Sequence, residues 1–186
     1  MEAFFTSTGV VALAEIGDKT QLLALLLALR FRKPVPIVAG ILVATLLNHA
    51  IAGALGAWIT TLVPPHAMRW ILAGSFLAMA VWALIPDTFD EKEPVRESRG
   101  SRVFVVTFVA FFLAEIGDKT QIATVAMAAH YSEVLLVVAG TTLGMLIADV
   151  PAVFAAESIA TRVPLKLIRA IAAAMFVALA LLTALR

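Results

Sequence analysis

Glu15 and Asp18 lie inside one long apolar stretch, and Glu115 and Asp118 repeat them at the same spacing in another. A charged side chain facing hydrocarbon costs about 3 kcal/mol or more, so these four acids must face protein, water or a bound ion. Glu and Asp at i and i+3 share one face of a continuous helix, so each pair can aim two carboxylates the same way. Four carboxylates brought together, joined by amide, hydroxyl or freed backbone oxygens, form a hard oxygen cage suited to Ca²⁺ or Mn²⁺. The chain has no cysteine, which removes thiolate metal sites, disulfides and thiol redox chemistry.

Each acid has a bland reading beside this one. Glu15 and Lys19, like Glu115 and Lys119, stand at i and i+4 in the favourable order and can neutralise each other along one helix. That pairing leaves Asp18 and Asp118 without partners, and four acids duplicated inside apolar stretches are costly to keep for packing alone. The lysines can moderate the charge of an empty site. Gly17 and Gly117, inside the acidic motifs, serve either close helix packing or a local break that frees carbonyls. Further along, Asn48, His49 and Asp149 interrupt two other apolar stretches, with His49 and Asp149 one hundred residues apart. Asp149 is the stronger candidate for an additional cation or proton site. Asn48 can join it or simply bond between helices, and His49 reads as a satisfied interior histidine. Gln21 and Gln121, with Thr20 and Thr120, offer oxygens either to a cation or as interhelical bonds. Glu157 reads as an interfacial charge. Methionines and aromatics read as packing and interface residues.

The elements that carry these residues are membrane spans. With 62% hydrophobic and 15% charged residues, the chain is far more apolar than a water-soluble domain. Six stretches, about 4–29, 36–62, 68–86, 103–129, 134–160 and 165–185, have the roughly 20 apolar residues that cross a bilayer as a helix. Prolines at 34, 36, 64, 65 and 164 mark tight connections between them. Residues 87–102 form a charged linker, read as a solvated connection rather than a regulatory cation site. Ten lysines and arginines fall beside that linker and the other loops on its side: Arg30, Arg32, Lys33, Lys92, Arg96, Arg99, Arg102, Arg162, Lys166 and Arg169. Only Arg69 and Arg186 fall on the other side. The positive-inside rule makes the ten cytoplasmic and both termini external. No basic n-region precedes the first apolar stretch, so no cleaved signal peptide is expected, and the size suggests a bacterial inner membrane. A net charge of +1 gives no footprint for nucleic acid.

Laying residues 1–86 over 101–186 without a gap gives 26 identities, including an unbroken match of Leu13–Gln21 with Leu113–Gln121. The chain is an internal duplication. Three spans per unit is an odd number, so the second unit enters the membrane upside down. The expected fold is therefore all-α: an integral membrane protein of six transmembrane helices in two inverted three-helix repeats, 1–86 and 103–186. Such repeats commonly hold a transport site at their interface.

The duplicated Glu-Ile-Gly-Asp-Lys-Thr, at Glu15–Thr20 and Glu115–Thr120, resembles the E-x-G-D-[KR]-[TS] motif of the GDT family of Ca²⁺/Mn²⁺:H⁺ exchangers, which includes MneA-type manganese exporters. The likeness covers nearly the whole chain, and neither motif departs from the family pattern. It implies a secondary active transporter, not an enzyme, with Glu15, Asp18, Glu115 and Asp118 as motif acids. It further implies exchange of Mn²⁺, or Ca²⁺, against protons, with manganese efflux as the usual inference for compact prokaryotic members. The metal is then a transported substrate, and no cofactor is expected. Alternating access would let the acid cluster take either one divalent cation or protons but not both, with the empty charged form held back. Three rivals stand beside it. A divalent-cation channel would need a continuous pore. An intramembrane lipid-pyrophosphate hydrolase would want arginine in the spans, and none is there. A membrane scaffold would tolerate neutral substitutions. Residue types alone do not separate Mn²⁺ from Ca²⁺.

Overall fold

The computed structural model describes residues 1–84, 100–154 and 165–185, which form eight helices. The linker before Gly100, with Lys92, Arg96 and Arg99, lies outside the described residues, as do Glu157 and Arg162. Helices α1 (Glu2–Glu15), α2 (Lys19–Phe31), α3 (Pro34–Leu62) and α4 (Pro65–Ala83) make the first half. Helices α5 (Gly100–Glu115), α6 (Lys119–Tyr131), α7 (Val134–Phe154) and α8 (Leu165–Leu185) repeat that order in the second.

The first and fourth apolar stretches are not continuous helices, which corrects the expectation that Glu and Asp share one helical face. Each breaks inside the acidic motif. Gly17 has φ +81° and Gly117 φ +76°, a left-handed conformation that glycine adopts without steric cost and that commonly ends a helix. One residue later, Asp18 and Asp118 adopt extended backbone and begin the next helix as N-caps. The Asp18 carboxylate accepts from the Lys19 amide at 2.6 Å, and that of Asp118 from the Thr120 amide at 3.4 Å. The motif therefore contains a stop and a start in succession. The α5–α6 pair bends by 69° at its break. Proline in the first turn opens α3 and α4, where its missing N–H is no loss.

Among the described residues, α3 and α7 are individually long and apolar enough to cross a membrane, with mean hydropathy 2.0 and 1.9, and the bent pair α5–α6 passes when taken together. Much of α3 is exposed as apolar surface, including Leu42, Leu46, Ile51, Leu55 and Trp58, as expected of a lipid-facing helix.

The long helices carry the broken ones. Helix α7 packs along α1 and α3 along α5, each at a glycine. A Cβ on Gly140 would lie 2.5 Å from the Phe4 carbonyl oxygen, and one on Gly40 would lie 2.8 Å from Thr107 Cβ. Small residues permit that approach, which helix pairs in lipid rely on because water drives nothing together there. Two apolar clusters result. One gathers Val10, Phe76, Met127, Val137 and Phe176 where α7 begins. The other gathers Leu27, Phe31, Ile37, Val103 and Val153 where α7 ends. The helix breaks lie in the polar layer of the bundle between them.

Candidate functional site

Glu15 and Glu115 are the last residues of α1 and α5, and Asp18 and Asp118 the first caps of α2 and α6. All four are buried. The two breaks meet, because the lysine of each motif reaches the aspartate of the other: Lys19 Nζ lies 2.7 Å from Asp118 Oδ1, and Lys119 Nζ lies 2.6 Å from Asp18 Oδ2. This corrects the pairing expected along one helix. The aspartates, which that pairing left alone, are the acids the lysines meet.

One carboxylate oxygen from each of Glu15, Glu115 and Asp118 lies within 4.8 Å of the other two. Two oxygens on opposite sides of an ion bound at about 2.4 Å are about 4.8 Å apart, so the spacing fits one divalent cation with hard ligands. Thr20 donates its hydroxyl to Glu15 Oε2 at 2.5 Å, and Thr120 to Glu115 Oε2 at 3.2 Å. The other oxygen of each glutamate, Oε1, is buried and has no hydrogen-bond partner among the described residues. Buried polar atoms are rarely left so. Each break also leaves the last carbonyls of α1 and α5 without intrahelical donors, and it sets the positive ends of α2 and α6 against the acids.

The glutamines act on the breaks themselves. Gln21 Oε1 accepts from the Gly17 amide and Gln121 Oε1 from the Gly117 amide, each at 2.8 Å. Their amide nitrogens then cross to the long helices at matching positions. Gln21 donates to the Ala148 carbonyl at 2.9 Å, and Gln121 to Asn48 Oδ1 at 3.1 Å. Asn48 in turn donates to the Phe112 carbonyl at 3.1 Å. The Ala148 bond sets Asp149 one residue from the break in the first half. Both Asp149 oxygens are buried without a partner among the described residues. His49 is equally buried, and neither of its ring nitrogens has a partner there, which corrects its reading as a satisfied histidine. The buried hydroxyls of Ser7 and Thr107 were not anticipated. Their equivalence across the two halves was the available sign, since each lies against the close-approach glycine of the opposite half.

Comparison with known proteins places this arrangement. Residues 3–91 and 103–186 match the family model described as "Divalent cation/proton antiporter GDT1". A Vibrio cholerae protein named "Putative manganese exporter" is 52% identical over 185 residues, covering 99% of this chain and 91% of that protein. A GDT1-like protein of Synechocystis is 28% identical over 95% of this chain and 93% of its own length. In rice, "GDT1-like protein 3" is 25% identical over 94% of this chain and 71% of its own length. No solved structure matches. With both halves matched by the family model and more than half of the residues shared with the Vibrio relative, this chain belongs to the GDT1 family of divalent cation/proton antiporters and is a transporter rather than an enzyme.

Proposed function

We propose that this protein exports a divalent cation, Mn²⁺ in preference to Ca²⁺, in exchange for protons, by alternating access across a bacterial inner membrane. In this reading the chain crosses the bilayer six times as two inverted repeats, 1–86 and 103–186. The cytoplasmic linker 87–102 joins them and both termini face outward. The breaks in α1–α2 and α5–α6 are discontinuous spans, which in membranes are tolerated where they line a site.

The observation that carries the proposal is the crossed pairing, which draws acids from both halves within the width of one ion. Glu15, Glu115 and Asp118 bind the cation, and Asp18 completes the set when Lys119 moves aside. With both aspartates paired to lysine, Glu15 and Glu115, with Asp149 beside them, hold the charge that either a divalent cation or protons would balance. Cation and protons therefore compete for one set of oxygens, and an inward proton gradient expels the metal. Lys19 and Lys119 hold the aspartates while the site is empty. Gln21, Gln121 and Asn48 keep the breaks in shape, and Asp149 supplies an additional carboxylate beside them. The preference for Mn²⁺ is supported by the name of the Vibrio relative.

The test is Mn²⁺ and Ca²⁺ uptake into proteoliposomes under an imposed pH gradient, for the parent and for Glu15→Gln and Asp118→Asn. Flux that saturates, follows the gradient and is lost in both variants is expected. Flux that survives both substitutions would remove the carboxylates from the transport path, and gradient-independent single-channel currents would replace the exchanger by a channel.

A further inference from the structure

At the bundle end where α3, α6 and α8 finish and α4 begins, Thr60, Val63, Arg69, His130 and Thr183 line a cavity of about 390 Å³. That volume falls within the roughly 300–1,000 Å³ of small-ligand sites. It is not the carboxylate site: α6 starts there at Lys119 and reaches the cavity only at its far end, about 16 Å away at 1.5 Å per residue.

Its chemistry is opposite in sign. Arg69 is the one lining residue with a fixed charge, and no acidic side chain lines the cavity among the described residues. The guanidinium stacks beside Trp70, 5.1 Å from the ring centroid, and its Nε is buried with no hydrogen-bond partner among the described residues. Arg69 lines the cavity with no acid in that lining to pair it, which suits an oxyanion held in the planar fork of the guanidinium. Pro65 and Met68 bring the first turn of α4, the positive end of that helix, to the same wall. The remaining lining is hydrocarbon, from Val63, Met68, Leu72 and Ala129. A bare inorganic anion would leave that side unfilled. Trp58 and Trp70, both more than half exposed, flank this end of α3 and α4, where tryptophans gather at the level of lipid headgroups.

We propose that the cavity binds the phosphate headgroup of an anionic phospholipid, with Arg69 holding the phosphate and Val63, Met68 and Leu72 receiving the upper acyl chain.

The experiment is native mass spectrometry of the full-length protein in detergent, counting lipid retained after addition of phosphatidylglycerol or phosphatidylcholine, with and without millimolar inorganic phosphate. Retention of phosphatidylglycerol over phosphatidylcholine, unaffected by phosphate, is expected for the parent. Arg69→Gln should lower that retention about tenfold, the usual effect of losing one charge-assisted bond. Leu72→Phe should lower it by filling the apolar side while keeping the charge. Arg30→Gln, an exposed arginine at the opposite end, should leave it unchanged. Equal retention by the parent and both cavity variants would overturn the assignment. So would displacement of the lipid by inorganic phosphate, which would make the site one for a free oxyanion.

Discussion

Lys119 is only 5% exposed in its pair with Asp18, whereas Lys19 is 28% exposed in its pair with Asp118. The same two residue types, from identical nine-residue motifs, make one sealed ion pair and one that is partly exposed. The long helices differ in the same way. Gln121 finds a side chain, Asn48, where Gln21 finds only the backbone of Ala148, and the next position is His49 in one half and Asp149 in the other. Duplication has thus fixed where the motif charges sit but not how buried each one is. In a low-dielectric interior, dryness sets what a charge is worth.

That difference can be broken by substitution, and the largest effect belongs to the sealed pair. Lys119→Gln takes the cation from the buried Asp18 carboxylate and should destabilise the protein by about 3–5 kcal/mol. Lys19→Gln also takes the cation from a buried aspartate, Asp118, but its lysine is 28% exposed, so the loss should be smaller, about 2 kcal/mol. Reversible unfolding in mixed detergent measures both, and equal losses would erase the distinction between the halves. Adding Asp18→Asn to Lys119→Gln should recover most of the loss, because the buried charge goes with it.

The close approaches come next. Gly140→Ala sets a methyl against the backbone oxygen of Phe4, while Gly40→Ala meets the side chain of Thr107 first, with the Phe104 oxygen 3.0 Å away. Overpacking of this kind costs about 1–3 kcal/mol, and Gly140→Ala should lie at the upper end because backbone cannot step aside. Gly117→Ala should cost about 1–2 kcal/mol from its left-handed backbone alone, since an added Cβ would meet nothing within 4 Å. Gly17→Ala has nearly the same φ and should match it. A larger loss at Gly17 would reveal packing that differs between the breaks. The smallest change is Asn48→Ala, which removes the bonds to Gln121 and Phe112 and should cost about 1 kcal/mol in all, at roughly 0.6 kcal/mol for each interhelical hydrogen bond in a membrane.

Much of this was legible in the residues. The duplication, the four acids and the glycines within their motifs could all be read from spacing, as could the apolar stretches that became α3 and α7. The breaks were less legible. The stretch 4–29 is apolar over the length of a span, and nothing in that pattern distinguishes a continuous helix from one stopped at Gly17 and restarted at Asp18. The glycine and the N-capping aspartate were the local signs, but inside an apolar stretch they compete with packing as explanations. The crossed pairs were hidden for a different reason. Periodicity along one helix reports neighbours three and four residues apart, whereas Lys19 meets a residue ninety-nine positions away. Only the tertiary meeting of the two breaks makes that contact. The missing partners of His49 and Asp149 likewise depend on what the other helices bring near, which no single-helix pattern contains.

The crossed pairs also bear on how the protein is made. Until the second half has been synthesised, Asp18 and Lys19 have neither Lys119 nor Asp118 to meet. Assembly is then a handshake between early and late parts of one chain.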